Sequence, residues 1–231
     1  MTTATAEPVA ERVATGLESF ADVARRLGGI SPDRIIWLPR PATEEDCVHH
    51  CERHGPAELI DGFLVEKAMG YRESLLTVAL IRFLANFILP RKLGLVGGPD
   101  AIMRLRGGQL RLPDVSFVTW ERLIATDAHN KKVAPLAPDL AAEVLSESNT
   151  RAEIEQKRRE FFKAGTKLIW VIDRAARTAE VYADPKRPDD MTLLREGDTL
   201  DGGSVVPGFA LPLADLFADI EPPAPAAPDT N

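Results

Sequence analysis

Two acidic residues and one lysine stand where the surrounding sequence predicts apolar side chains. Asp114 opens the segment PDVSFV, whose β-branched and aromatic residues favour a buried strand. Glu143 interrupts the apolar run DLAAEVL in the same way. Lys157 falls between Ile154 and Phe161, at the +3 and +4 spacing of the inward face of a helix. Because a buried charge without a partner is costly, we expect the three groups to meet.

The chemistry that such a meeting offers is hydrolysis of a phosphodiester bond. Carboxylates on neighbouring strands are hard oxygen ligands that suit Mg²⁺ or Mn²⁺. The ion would polarise the phosphate and lower the pKa of an attacking water, and the lysine would orient that water or neutralise developing charge. We therefore predict Asp114, Glu143 and Lys157 as catalytic residues. Asp114 and Glu143 would bind the metal, with the backbone carbonyl of Val144 completing its coordination shell.

The elements that must position these residues alternate between helix and strand. Asp61-Gly62, flanked by apolar runs in ELIDGFLVEKAM, predicts a hairpin. The following helix, from Tyr71 to about Leu89, has an apolar arc so wide that we expect most of its surface to be covered. Strands are predicted around 95–105 and 111–119, paired through Arg106-Gly107-Gly108, and then at Leu140–Leu145.

A further helix is predicted from Thr150, which would form a capping box with Glu153, to Gly165, and the strand KLIWVID follows it. The order helix, strand, strand, strand, helix, strand indicates an α/β (α+β) fold with a mixed sheet flanked by helices. An N-terminal helix with the stripe Leu17, Phe20, Val23 and Leu27 and a helix capped by Thr43 precede this core.

Composition limits the class of protein and its organisation. The 231 residues, 45% of them hydrophobic, suffice for one domain with appendages. We predict a disordered N-terminus over 1–15, a docking helix and linker over 16–42, a nuclease domain over 43–217 and a disordered Pro/Ala-rich tail over 218–231. Two cysteines and no export signal favour the cytoplasm, and no apolar run approaches membrane-spanning length.

The segments that carry the predicted site resemble a known family. Pro113-Asp114, then Glu143 on the next strand and then a lysine resemble the PD-(D/E)xK nuclease superfamily. More narrowly, ELIDG, LPDVSFV, DLAAEVLSESNT, KRREFFKAG and LIWVID are similar to segments of the Uma-two family of restriction endonucleases. The resemblance implies a restriction-endonuclease-like core and metal-dependent cleavage of DNA by a homodimer, with no obligatory small-molecule cofactor. It also offers Glu58 as a further metal ligand.

The sequence departs from the superfamily pattern in two places. The superfamily lysine stands two positions after the acidic residue, where this chain has Leu145, so the role passes to Lys157 on the helix. Many family members carry a histidine near the start of the long helix, where this chain has GYRES, and Glu73 is a candidate substitute.

Other hypotheses remain open at this point. One is a catalytically degenerate binding or interaction protein on the same fold. The net charge of −7 favours it, because negative charge opposes attraction to DNA. Leu145 also favours it, because the superfamily has a lysine at that position. Another is a zinc site formed by Cys47, His50, Cys51 and His54, at i,i+4 spacing on one helix. Structural zinc sites usually take ligands from two segments, so we favour an ordinary surface helix there.

Overall fold

The structure is a computed structural model, and it describes residues 19–67 and 70–222. The predictions for 1–15, for Leu17 and for most of the tail lie outside these residues. Within them, the helices are α1 (Phe20–Arg26), α2 (Glu44–Arg53), α3 (Tyr71–Ile88), α4 (Trp120–Thr126), α5 (Arg151–Ala164) and α6 (Leu213–Ala218). None of the described helices is long and apolar enough to cross a membrane.

The strands of the described chain form two larger sheets and a short hairpin. They are β1 (Ile35–Ile36), β2 (Ala57–Ile60), β3 (Phe63–Glu66), β4 (Gly94–Gly97), β5 (Met103–Arg104), β6 (Leu110–Arg111), β7 (Val115–Thr119), β8 (Leu140–Val144), β9 (Leu168–Asp173), β10 (Thr178–Tyr182), β11 (Thr192–Arg195), β12 (Thr199–Asp201) and β13 (Ala210–Pro212).

The main sheet has the order β11-β10-β9-β8-β7-β4, and only the pair β8–β9 is parallel. Helix α5 connects these two strands, as a parallel pair requires. The order α3, β4, β7, β8, α5, β9 confirms the predicted sequence of elements in the core. The sheet is mixed and flanked by helices, in agreement with the predicted fold class.

The two faces of the main sheet carry different helices because side chains alternate along each strand. In β8, Leu140, Ala142 and Val144 share a core with α3, whereas Ala141 shares one with α5. Glu143 therefore projects on the α5 side. Val115 of β7 pairs with Ala142 of β8, so this antiparallel register, continued by one residue, sets Asp114 opposite Glu143.

The second sheet has the order β1-β3-β2-β6-β5 and is antiparallel throughout. The predicted hairpin is confirmed as β2–β3, and its turn residues Asp61 (φ 49°) and Gly62 (φ 83°) both have the positive φ of a tight two-residue turn. Leu59 pairs with Leu110, so Glu58 and Arg111 are cross-strand neighbours on one face.

The prediction of short strands around 95–105 and 111–119, paired through the turn at 106–108, is confirmed in part. The turn at 106–108 does connect paired strands, but these are the short β5 and β6 of the second sheet. Strands β4 and β7 instead pair with each other in the main sheet. Between β4 and β7 of the main sheet, the chain therefore contributes β5 and β6 to the second sheet. The alternation of polar and apolar residues alone does not predict this crossing between sheets.

Two helix predictions need correction. The Thr150 hydroxyl accepts the Glu153 backbone N–H at 3.0 Å, but the Glu153 carboxylate is held by Arg34 at 2.8 Å and does not complete the capping box. Coverage of α3 is also narrower than predicted. Leu76, Leu80 and Leu84 are fully buried, whereas Tyr71 (80%) and Val78 (61%) are exposed along another side of the helix.

Candidate active site

Lys157 lies at the centre of a buried cluster of charges between the two sheets. Its helix, α5, packs Ile154 and Phe161 into the core, so the predicted inward stripe is confirmed and Lys157 is only 5% exposed. The Lys157 Nζ atom lies 2.8 Å from Glu143 Oε2 and 2.9 Å from Glu58 Oε1. It also donates a hydrogen bond to the Leu112 carbonyl at 3.3 Å. The ammonium group therefore connects the main sheet to the hairpin sheet.

Asp114 lies at the start of β7, beside Glu143, and its two oxygens have different partners. Oδ2 accepts the Val144 backbone N–H at 2.7 Å, which fixes the carboxylate against the end of β8. Oδ1 lies 2.7 Å from Lys67 Nζ. Lys67 follows the last residue of β3, so the hairpin contributes an amine as well as the carboxylate of Glu58.

Glu58 has basic or N–H partners at both carboxylate oxygens. Oε2 accepts from Arg111 at 2.7 Å, and Oε1 accepts the Leu112 N–H at 2.9 Å in addition to its contact with Lys157. Arg111, 2% exposed, reaches on to Glu160 of α5 at 2.6 Å. This alternating series of charges fixes the position of Glu58, and through it the position of Lys157.

A small cavity of about 20 Å³ lies among these groups, enough for about one water-sized occupant. Its charged lining consists of Arg34, Glu58, Lys67, Asp114, Glu143, Glu153 and Lys157. Arg34 neutralises Glu153, Lys67 neutralises Asp114, and Lys157 is shared between Glu58 and Glu143. Counted over this lining, four carboxylates face three cations, so one negative charge is in excess.

The pKa of Glu143 reflects its burial first and the neighbouring negative charges second. Burial raises the pKa of Glu143 to about 7, against the attraction of Lys157, and the negative charges of Asp114 and Glu58 add to the increase. Burial also disfavours ionised Glu58, but Lys157 and Arg111 outweigh it and hold the pKa of Glu58 well below its usual range. For Lys157, burial opposes the charged form, but Glu143 and Glu58 prevail and raise its pKa above the ordinary value. Lys157 is therefore a permanent cation.

The predicted meeting of Asp114, Glu143 and Lys157 agrees with this geometry. A degenerate site would favour a Lys157 side chain that points to solvent. The Lys157 side chain is instead buried. Sequence reasoning did not predict the positions of Lys67 and Arg111 in this cluster. The hairpin register offered a signal for Lys67, because the Asp61-Gly62 turn sets residues 58 and 67 on the same face of the two strands.

The residues of the cavity fit a divalent cation, although no group of three or more His, Cys, Asp or Glu side chains within the described residues is arranged to hold a metal. Glu143 Oε1 is buried and has no hydrogen-bond partner in the described part of the chain. Two carboxylates on adjacent strands supply hard oxygen donors, and a bound cation would neutralise the excess negative charge. Asp114 and Glu143 would hold Mg²⁺ or Mn²⁺, with the Val144 carbonyl as a further ligand. Glu58, whose oxygens are already bound, fits better as support for Lys157.

The alternative zinc site gains no support from the structure. Cys47 is fully buried and its sulfur contacts the Ala57 carbonyl oxygen at 3.2 Å, and Cys51 contacts the same oxygen at 3.4 Å. The rings of His50 and His54 lie tilted against each other, with centroids 5.1 Å apart. Over residues 19–67 and 70–222, these side chains form no metal-binding group.

Comparison with known proteins places this geometry in a family. A family model described as "Putative restriction endonuclease", Uma2, matches residues 45–214, a range that includes the main sheet, the second sheet except β1, and every predicted site residue. A search of curated proteins gave no match. Among solved structures, a protein from Anabaena variabilis described as a putative nuclease belonging to DUF820 is similar in fold, with a TM-score of 0.64 and 20% identity over 72% of this chain and 92% of that one. The chain belongs to the Uma2 family.

Proposed function

We propose that this protein is an endonuclease that hydrolyses phosphodiester bonds in DNA and depends on Mg²⁺ or Mn²⁺. One observation carries the proposal: the buried carboxylates of Asp114 and Glu143 project from neighbouring strands beside the ammonium of Lys157, around a cavity with an excess negative charge. Membership in a family of restriction endonucleases supports the same activity.

The roles of the residues follow from their charges and partners. Asp114 and Glu143 hold the ion, which when bound supplies a Lewis acid that polarises the phosphate and lowers the pKa of an attacking water. Lys157, a permanent cation held by Glu58 and Glu143, acts through charge and hydrogen bonding and does not take up a proton. Arg111 and Glu58 keep Lys157 in place, and Val144 fixes Asp114 through its backbone N–H.

Substrate would reach the site from the side of α3. Asp114 and Val144 line both the charged cavity and a surface pocket that is otherwise formed by residues such as Ser74, Thr77 and Pro99. Glu143 and Lys157 lie deeper and line only the cavity. A phosphate in the surface pocket would therefore meet the Asp114 end of the site first.

The test is cleavage of plasmid DNA with Mg²⁺, Mn²⁺ or excess chelator. Wild-type protein should cut only when a divalent ion is present. Asp114→Asn should lower the rate at least about a hundredfold, since an amide is a poor ligand for a hard cation. The matched control is Asp173→Asn, because the Asp173 side chain accepts the turn N–H of Ala176 at 2.9 Å and does not line the cavity. Cutting by Asp114→Asn at the wild-type rate would contradict the proposal.

A second candidate function is a DNA-binding or interaction protein that has lost cleavage. The observation that favours it is the ion pair of Lys67 with Asp114, since an ammonium already occupies one proposed metal ligand. It predicts no cleavage with any divalent ion. Assembly as a homodimer and a cytoplasmic location are also proposals; the first rests on the family resemblance and the second on the free thiols of Cys47 and Cys51.

A further inference from the structure

Lys67 is a buried amine whose position the catalytic roles above leave unexplained. Its side chain is 7% exposed, and its Nζ atom lies 2.7 Å from Asp114 Oδ1 and 3.5 Å from the Pro99 carbonyl oxygen. Its backbone N–H is tied to the Pro56 carbonyl at 2.9 Å, which anchors the residue at the end of the hairpin. Lys67 is thus held in the site by both its main chain and its side chain.

The ammonium of Lys67 and a divalent ion compete for the same carboxylate oxygen. Mg²⁺ binds oxygen at about 2.0–2.1 Å, closer than the 2.7 Å contact of the ammonium, and the two cations repel each other at such distances. Asp114 Oδ2 is held by the Val144 backbone N–H, whereas the partner of Oδ1 is a flexible side chain, so we assign Oδ1 to the metal. Binding of the ion at Asp114 therefore requires the Lys67 head group to move.

The direction of that movement is set by the surroundings of Lys67. Asp114 and Pro99, the two groups that its Nζ atom contacts, both line the surface pocket beside α3. An ammonium released from Asp114 would lie at the boundary of this pocket, where an incoming phosphate meets the site. The flexible four-carbon side chain allows the small shift without displacement of the strand.

We infer that Lys67 is a second catalytic amine, which occupies the place of the divalent ion at Asp114 in the metal-free protein and contacts the substrate phosphate once the ion has replaced it. This inference rests on the proposed nuclease function. It gives the chain a cation near the phosphate in addition to Lys157, in a protein that has Leu145 where the superfamily places its lysine.

The test combines Mn²⁺ titration calorimetry with cleavage of DNA at saturating Mn²⁺. Lys67→Gln should bind Mn²⁺ at least about tenfold more tightly than the wild type, because the competing ammonium is gone. Its cleavage rate should nevertheless fall at least about tenfold, because the phosphate loses a cationic partner. Lys67→Arg, which keeps the charge, should return metal affinity toward the wild-type value. Lys67→Met fills a similar volume without charge and should behave as Lys67→Gln does.

The matched control is Lys167→Gln, which removes a lysine that pairs with Asp139 at 3.0 Å on another part of the main sheet. It should leave both Mn²⁺ affinity and cleavage unchanged. Unchanged or weaker Mn²⁺ binding in Lys67→Gln and Lys67→Met, beside normal binding and cleavage in the wild type, would overturn the inference alone. Absence of Mn²⁺ binding in the wild type and in both variants would overturn it together with the proposed function.

Discussion

The carboxylates of Glu58 and Glu143 contact the same ammonium, yet their pKa values shift in opposite directions. Glu58 has Arg111 and the Leu112 N–H as additional partners, which stabilise its charge despite burial. Among the described residues, Glu143 has one close ion pair, with Lys157, and it lies opposite Asp114, so burial dominates and its pKa rises to about 7. Two neighbouring carboxyl groups, one with a raised and one with a lowered pKa, are a common feature of catalytic sites.

This difference predicts how stability depends on pH. The native state binds a proton at Glu143 more tightly than the unfolded chain, so the stabilisation is complete below the ordinary value of 4.5 and is lost as pH rises to about 7. Relative to Glu143→Gln, which does not titrate, the metal-free wild type should lose roughly 3 kcal/mol across this interval. Urea unfolding of both proteins from pH 4.5 to 8 measures this difference. A constant difference would show that Glu143 is not perturbed.

Arg111 provides a second prediction at this scale. Arg111→Met would leave Glu58 and Glu160 buried without their shared cation, and breaking a buried ion pair typically costs about 3–5 kcal/mol. Arg104→Met is the matched control, because the pair of Arg104 with Glu44 is exposed and contributes less than about 1 kcal/mol. Thermal unfolding of the two variants compares them. Equal losses of stability would mean that the Arg111 pairs are not structural.

The burial of a charged residue could be predicted where its neighbours in the sequence form an apolar pattern. Asp114, Glu143 and Lys157 are charged residues within apolar patterns, and because buried charges need partners, their meeting could be predicted. Lys67 and Arg111 lack that signal, because Lys67 follows β3 and Arg111 ends β6, near turns where charges are common. Arg111 lies beside Glu58 because of the register of β2 with β6, and Lys67 is buried by its contacts with Asp114 and Pro99. The sequence does not encode these distant contacts locally.

Among the elements, α1 shows how closely the N-terminal segment is joined to the site. Gly28 (φ 91°) lies two residues after the end of α1, and its carbonyl accepts from the hydroxyl of Thr150, the N-cap of α5. A Cβ atom at Gly28 would lie 2.6 Å from the Glu153 Cα. The docking of α1 therefore positions the first turn of the helix that carries Lys157.

A pair of substitutions tests this contact. Gly28→Ala should cost at least about 2 kcal/mol more than Gly29→Ala, because both positions require positive φ but only Gly28 meets the backbone of α5. For Gly29 (φ 72°), nothing lies within 4 Å of an added Cβ, so its cost is that of the backbone conformation, about 1 kcal/mol. Denaturant unfolding gives both values. Equal costs would mean that α1 and α5 tolerate separation.

The elements that sequence predicted well have strong local signals. The hairpin has Asp61-Gly62, and α5 has Thr150 at its start and Gly165 (φ 109°) at its end. The segment between 94 and 119 has weaker signals, since strands β5 and β6 have two residues each and distant pairing decides their sheet. Tertiary contacts there override the alternation of side chains.

For the whole molecule, the predicted order of helices and strands and the family match agree, and both describe one nuclease-like core. The predicted order of elements did not include the second sheet. This sheet and the residue that follows β3 supply Glu58, Arg111 and Lys67 to a site that is otherwise built on the main sheet. The net charge of −7 makes local positive groups essential for any approach of DNA. The proposed activity therefore depends on the balance of charges inside one cavity.

The most direct measurement is anomalous diffraction from crystals soaked in Mn²⁺, at the concentration that supports cleavage and at pH 8, where Glu143 is ionised. We expect one strong peak in the cavity, about 2.0–2.3 Å from oxygens of both Asp114 and Glu143, with the Lys67 ammonium moved away from Asp114. The peak should vanish in Asp114→Asn. A cavity without a peak, while the same Mn²⁺ concentration supports cutting of DNA, would contradict the assignment of these two carboxylates as the metal site.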